Sequence, residues 1–300
     1  MSSQHLKRNK KNKDSLFAYL SLVPSGIFFA AFILCPAIYA IWLSLYQWDG
    51  LSIERPFVGI ENYLVALKEP LFWKALGNSI YYTLVVVFSQ MLIGLLLALA
   101  LNEKLRARSL FRTVFFLPLA TSTVVASSIW RWLLSPGEEG LVNYFLSFFG
   151  IKALGWLGDP KYAMLGVMLM SIWRWMGYHM VIYLAGLQSI PSELYEAAKI
   201  DGAGKTQQFF YVTWPMLYFT TFFLMATSII NGMQVFDEIY VMTRGGPVNS
   251  TEVTGLYIYQ NAFHYYKMGY GSAVSCLLTL FILIFTIMQF RHQKQSFFYD

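Results

Sequence analysis

Charge is what this 300-residue chain has least of. Asp, Glu, Lys and Arg make up 13% of it, where a soluble domain carries about 25%. With 22 basic and 16 acidic side chains, a water-soluble globule of this length could not cover its surface. Apolar residues fill 57% of the sequence and aromatics 18%, and the mean hydropathy is +0.49. That composition excludes a disordered chain and a nucleic-acid-binding protein, although the isoelectric point is near 9.1. The net charge of +6 calls for a topological explanation rather than an acidic ligand. Cysteine is scarce as well: Cys35 and Cys276 sit in apolar runs near opposite ends, which excludes a disulfide framework and a thiolate metal site. The four histidines, His5, His179, His264 and His292, form neither a metal-ligand spacing nor a triad with a nucleophile. Composition and spacing therefore imply an integral membrane protein with no catalytic residue, no metal site and no cofactor of its own.

What is abundant is long apolar runs. A membrane-crossing helix needs about 20 mostly apolar residues, and six segments qualify: 17–45, 78–101, 113–134, 163–187, 213–235 and 271–290. The runs are continuous rather than alternating, which excludes a β-barrel. The first follows a basic head, as a signal peptide would, but the stretch Leu16 to Trp48 is too long and lacks a small-residue cleavage site. Leu34 before Cys35 also spoils a lipoprotein signal, so the run reads as a retained span. Pro24 and Pro36 should bend it. The expected fold is all-α: a polytopic membrane bundle of six helices, with a basic tail over 1–15, a membrane-embedded body over 16–290 and a short tail over 291–300.

Lysine and arginine orient it. One side collects Lys7, Arg8, Lys10, Lys11, Lys13, Lys104, Arg106, Arg108, Arg112, Lys199, Lys205, Arg291 and Lys294; the other collects Arg55, Lys68, Lys74, Lys152, Lys161, Arg244 and Lys267. The bias of thirteen against seven puts both termini in the cytoplasm. Three outer segments, 46–77, 135–162 and 236–270, are long and rich in Trp, Tyr, Phe and Gly, which suits interfacial anchors or a docking surface.

The six runs contain no Asp or Glu. Intramembrane carboxylates mark proton and cation relays, so a gradient-driven carrier is disfavoured; Asp237 and Glu238 are expected at the watery outer end of the fifth run. The polar residues that do occur suit a sugar, which needs aromatic faces for its apolar patches and amides or hydroxyls for its hydroxyl groups. The fourth run offers Arg174, Trp175 and Tyr178; the fifth offers Thr227, Asn231 and Gln234 on one helical face. Equally, such residues glue helices together. Arg174, near mid-span, requires a reason for its burial: a solute contact, or an acid on another subunit. Gly204-Lys205-Thr206 is a decoy, because a phosphate loop needs a glycine five positions earlier and Lys199 stands there.

The cytoplasmic loop over 188–212 is the most distinctive stretch. Ile190-Pro191-Ser192-Glu193-Leu194-Tyr195-Glu196-Ala197-Ala198-Lys199-Ile200-Asp201-Gly202-Ala203 predicts a short helix opened by Pro191 and ended by Gly202. The paired alanines give it a thin face that another protein can approach closely. This loop resembles the EAA motif of ATP-binding-cassette importer permeases: Glu196-Ala197-Ala198, then Gly202, then Val212-Thr213-Trp214-Pro215. The outer stretch Thr243-Arg244-Gly245-Gly246-Pro247, followed by Thr251, is similar to the T-x-G-G-P signature of carbohydrate systems of the large maltose-permease type. Phe57-Val58-Gly59-Ile60-Glu61-Asn62-Tyr63 and Asn78-Ser79 fit the same family, over nearly the whole chain from Leu16 to Phe290. Unlike that permease, the chain is expected to do without extra N-terminal spans and a large outer insertion.

The resemblance implies a multi-pass plasma-membrane subunit of a bacterial or archaeal ATP-driven sugar importer. Its implied partners are a second homologous permease, two ATPase subunits that bind ATP and magnesium, an extracytoplasmic solute-binding protein, the bilayer and a sugar or oligosaccharide; no nucleic acid is among them. It further implies that Glu196, Ala197, Ala198, Asp201, Gly202 and Ala203 seat in an ATPase cleft. Thr243, Gly245, Gly246 and Pro247 would belong to the docking loop, and the sugar contacts would lie in the fourth and fifth spans. A glycerol-phosphate-type cargo is the alternative within the same branch; a gradient-driven carrier and a membrane enzyme are the alternatives outside it.

Overall fold

The computed structural model describes residues 21–103, 107–137 and 139–296, with side chains through Arg291. The basic tail over 1–15 lies outside the described residues, as do Lys104 and Arg106. Among the described residues the regular elements are helices, and the one β contact is an isolated antiparallel bridge between Tyr46 and Phe57. In chain order the helices are α1 (Ser21–Leu43), α2 (Glu61–Lys68), α3 (Pro70–Asn102), α4 (Arg108–Ala120), α5 (Thr123–Leu133), α6 (Leu141–Ser147), α7 (Ala163–Gln188) and α8 (Ser192–Ile200). They continue with α9 (Lys205–Met216), α10 (Tyr218–Met233), α11 (Asp237–Met242), α12 (Thr254–Tyr259) and α13 (Met268–Ser296).

Over their described residues all six expected segments are mainly helical. Three helices are long and apolar enough to cross a membrane, namely α1, α3 and Met268–Arg291 of α13; two bent pairs, α4 with α5 and α9 with α10, bring the number to five. The remaining expected segment is α7, whose 26 residues make a rod about 39 Å long at 1.5 Å per residue. Its Trp, Arg, Tyr and His content lowers its apolar character. The tail expected from 291 is still helix through Ser296.

Two segments read as straight in the sequence are broken, each at a proline. The 113–134 run bends by 99° between α4 and α5. Pro118 has no N–H, and its carbonyl is taken by the Thr121 N–H at 3.2 Å and the Thr121 hydroxyl at 2.6 Å, so the helix closes on itself. Thr121 and Ser122 are extended, and the Ser122 carbonyl then starts α5 by accepting from Ala126. The second bend, 60° between α9 and α10, falls two residues after Pro215. In α1 the break is milder: ahead of Pro36 the chain widens into a π turn over Ala30–Leu34, where the Cys35 N–H reaches back to Ala30.

The chain forms two compact units. The first combines the described part of Met1–Lys68 with Gln260–Thr279. In it the loop after α1 is fastened by Asn62, whose amide donates to the Ser44 and Tyr46 carbonyls at 2.8 and 3.0 Å, and by a 2.6 Å hydrogen bond between Ser44 and Tyr63. Asp49 caps the outer turn: the backbone of Ser52 and Leu51 and the Ser52 hydroxyl donate to its carboxylate and hold it below the usual carboxylate range. Gly269 brings the start of α13 against the Tyr46 carbonyl, which a Cβ there would strike.

The second unit, Glu69–Tyr259 with Leu280 onward, is organised around α3 and α7 packed along each other. Lipid tails are as apolar as Leu, so helices here associate by close fit more than by escape from water. Small residues supply that fit. A Cβ on Gly94 would stand 2.5 Å from that of His179 where α3 meets α7, and one on Gly177 would run into the Phe115 carbonyl where α7 crosses α4. Gly186 admits Thr220 and Leu217 of the fifth segment in the same way. Larger apolar side chains fill two clusters, one around Tyr82, Met168, Trp156 and Ile239, the other around Leu95, Met180, Tyr183, Leu187 and Leu217.

Candidate functional site

Where α3, α7 and α10 diverge in the second unit, they enclose a cavity of about 530 Å³. All six residues nominated for a solute path from the sequence line it: Arg174, Trp175 and Tyr178 from α7, with Thr227, Asn231 and Gln234 from the α10 side. Helical spacing explains the gathering, since positions three and four apart share a face. Trp175 and Tyr178 stand edge to face, ring centres 6.0 Å apart at 89°. The amides of Asn231 and Gln234 make no side-chain hydrogen bond within the described residues and are open to a ligand. Thr227 donates to the Phe223 carbonyl of its own helix at 2.8 Å, leaving its oxygen free to accept.

Arg174 is 9% exposed. Its Nη2 donates to the Thr121 carbonyl at 3.1 Å, its guanidinium lies 5.4 Å from the Trp175 ring centre, and its Nε has no hydrogen-bond partner. Inside the chain Arg174 satisfies the carbonyl that the α4–α5 break leaves bare.

Several lining residues were not singled out from the sequence. Gln90 of α3 donates to the Ser171 carbonyl at 3.1 Å and Tyr82 to the Ser171 hydroxyl at 2.7 Å. Gln90, alone in a long apolar stretch of α3, was a readable signal. His179 is a structural tie. Its Nδ1 meets the Trp175 carbonyl at 3.0 Å; a carbonyl only accepts, so Nδ1 carries the proton and the neutral ring's Nε2 accepts from the Ser228 hydroxyl at 2.9 Å. Asp237 is exposed, as expected, but Glu238 is 8% exposed and faces the same cavity rather than open water. The start of α11 folds back after Gln234 and carries it inward.

The 188–212 loop forms the short helix expected of it, though Pro191 precedes the first turn instead of occupying it. Its end is a Schellman closure: the Ala203 N–H donates to Ala198 at 2.8 Å and the Gly202 N–H to Lys199 at 3.0 Å, with Gly202 at φ +80°. Glu196, Ala197 and Asp201 are exposed, while Ala198 and Ala203 are half-buried. Tyr195 faces inward and shares a 2.9 Å hydrogen bond with Thr213, and with Phe209 and Val212 it packs on the cluster of Leu187, Ile190 and Leu217. Asp201 and Gly202 sit at the turn that leads into α9.

The stretch from Thr243 to Thr251 is equally ordered. Thr243 and Thr251 share a 2.7 Å hydrogen bond, Thr251 donates to the Gly246 carbonyl at 2.8 Å, and Gly245, at φ +85°, leaves no room for a Cβ beside the Glu252 carboxylate. Thr243, Gly246 and Pro247 line a second hollow of about 700 Å³ with Ser128, Arg131 and Trp132 of α5. Asn78 and Ser79 fasten this loop: Asn78 donates to the Glu252 carbonyl at 2.8 Å, and Ser79 accepts from the Thr254 N–H at 2.9 Å. The two outer motifs noticed separately in the sequence are one structure.

With this geometry in hand, the chain can be set beside known proteins. Residues 90–295 match the family described as binding-protein-dependent transport system inner membrane component. The probable ABC transporter permease protein YurN of Bacillus subtilis is 38% identical over 94% of this chain and 98% of its own length. The trehalose/maltose transport system permease protein MalF of Thermococcus litoralis is 34% identical over 94% of this chain and 95% of its own. A crystal structure of a bacterial ABC transporter involved in import of the acidic polysaccharide alginate has the same fold, with TM-score 0.82 and 23% identity over 96% of this chain and 99% of that one. This chain belongs to the family of inner-membrane components of binding-protein-dependent transport systems, a transport subunit and not an enzyme.

Proposed function

We propose that this chain is the permease subunit of an ATP-driven carbohydrate importer, crossing the membrane six times with both ends inside. It supplies half of the translocation path, and its α8 is the coupling helix that follows a separate ATPase. The observation that carries this reading is the gathering of Trp175, Tyr178, Thr227, Asn231 and Gln234 around one cavity, an aromatic-and-amide wall suited to a sugar. Relatives named for trehalose/maltose, arabinooligosaccharide and lactose transport support it. ATP and magnesium belong to the ATPase partners; a second permease closes the path, and a solute-binding protein delivers the sugar near Thr243 to Pro247.

A phosphate-bearing cargo such as glycerol phosphate could use Arg174, but Asp237 and Glu238 line the same cavity, and two carboxylates oppose an anion. The reading predicts that vesicles holding the assembled importer and ATP accumulate a neutral oligosaccharide presented by the binding protein. Asn231→Ala and Gln234→Ala should lower that uptake while insertion and ATPase assembly persist. Accumulation by the permease alone, without ATPase subunits, would overturn the proposal.

A further inference from the structure

Between α5 and α7 the chain makes an excursion whose two faces differ in kind. The inner face is fixed by Asn143, 2% exposed. Its amide donates to the Gly137 and Leu154 carbonyls at 2.8 and 3.0 Å and more weakly to Ser135 at 3.4 Å. Its oxygen accepts from the Leu154 N–H at 3.1 Å and the Trp156 indole at 2.8 Å. This hub sets the rotation of α6 and turns Tyr144, Phe145 and Phe148 outward. Their rings touch one another, with centres 5.0 to 6.4 Å apart. Phe148 is 67% exposed and the following Phe149 82%. From Leu141 to Ile151 the sequence contains no Asp, Glu, Lys, Arg or His, and charge resumes only at Glu139 and Lys152.

We infer that Leu141–Ile151 is an interfacial anchor whose aromatic face lies in the headgroup–acyl boundary of the bilayer, on the side to which α5 and α7 deliver it. Amphipathic rings favour that boundary, and a short helix with one apolar face lies in its plane. The occupant is lipid rather than protein for two reasons. A protein contact would need a polar or charged rim, and eleven successive residues supply no charge. The apolar patch is also continuous with α5, which α6 touches and which turns Val124, Val125, Ile129 and Trp132 outward. Lys152, just beyond the patch, can lay its stem along the apolar surface with its ammonium at the phosphates.

The test uses the full chain within the assembled importer, in phosphatidylcholine–phosphatidylglycerol vesicles. Cys35→Ser and Cys276→Ser remove the native thiols. A nitroxide is then placed, before assembly, at Phe145→Cys, Phe148→Cys or Phe149→Cys, with Glu139→Cys as the reference outside the patch. Collision with oxygen, relative to collision with a water-soluble nickel chelate, should be several-fold higher at 145, 148 and 149 than at 139. Ratios equal to that at 139 would mean that the rings face water and overturn the inference. Suppressed collision with both reagents would mean that a binding protein or second permease covers them, and overturns it too. Phe149→Trp, a milder change, reads the same depth: quenching by brominated phosphatidylcholine should exceed that of the wild-type chain, and no added quenching would overturn the inference.

Discussion

Gly202 offers a clean separation of backbone geometry from partner contact. It closes α8 at φ +80°, and a Cβ built there meets nothing within 4 Å. Among the described residues, then, the whole cost of Gly202→Ala is conformational, about 1–2 kcal/mol for an L residue forced left-handed. That corresponds to a roughly 5- to 30-fold shift in an equilibrium. Asn tolerates the conformation better than Ala, and Val tolerates it worst. The two hydrogen bonds at risk are from Ala203 to Ala198 and from Gly202 to Lys199. Amide exchange at 202 and 203 in the isolated permease should accelerate in the order Asn, Ala, Val, by about 5- to 30-fold for Ala if the bonds open locally. Uptake by the assembled importer should fall in the same order. Gly202→Asp tests the other half: it adds a charge on the face proposed to seat in an ATPase, so assembly or coupling should suffer more than the exchange rates imply. If Asn and Val accelerate exchange equally, the left-handed closure is not what the glycine supplies. Normal uptake by the Asp variant would count against the proposed seat.

Gly177→Ala places a methyl against the Phe115 carbonyl, so α4 and α7 must part; unfolding in detergent should show a loss of about 1–3 kcal/mol or more. Asn143→Ala strands the Trp156 indole and the Leu154 N–H; at about 1–3 kcal/mol for each unsatisfied group, the thermal midpoint should drop, with Asn143→Asp intermediate because it keeps the acceptor. Arg174→Gln removes the reach to Thr121 and should loosen the α4–α5 bend, seen as faster exchange at Thr121 and Ala126, whose amides hydrogen-bond across it, whereas Trp175→Phe should leave that exchange unchanged.

The helices were legible because apolar runs of this length have few other fates, and the polar wall because Arg174, Trp175 and Tyr178 share one face of α7 while Thr227 and Asn231 share one of α10. The end of α8 was legible too, since Gly202 follows a short amphipathic stretch. The breaks were harder. Pro118 and Pro215 stand inside apolar runs, and a proline in a membrane helix is compatible with a kink or with almost none; the 99° turn depends on Thr121 capturing the Pro118 carbonyl and on Arg174, fifty-three positions away, capturing that of Thr121. Glu238 was misplaced for a related reason: the turn after Gln234 reverses which residues look inward, and hydropathy does not record a reversal. Asn143 carried no local signal, because its four partners, Ser135, Gly137, Leu154 and Trp156, lie in two stretches on either side of it.

The packing between the proposed coupling helix and the cavity bears on how movement could travel. Near α8, α7 and the fifth segment are locked. Gly186 lets α7 close on Thr220 and Leu217, and Tyr195 ties α8 to Thr213. Close-packed contacts of this kind resist sliding, because interiors deform little and switch between discrete arrangements instead. Further along, residues of the same two helices line the cavity, where Asn231 and Gln234 make no side-chain hydrogen bond among the described residues. A displacement of α8 should therefore move the lower ends of α7 and α9 together and be expressed where the packing is loose, at the cavity and at the 60° bend beside Leu217. A disulfide across the locked end, between Gly186→Cys and Thr220→Cys, should leave uptake equal to that of the reduced double variant, which carries the same crowding of Leu217, since these residues already move as one. Abolished uptake, restored by reduction, would show that α7 and α10 must slide past each other there, and the rigid lever would fail.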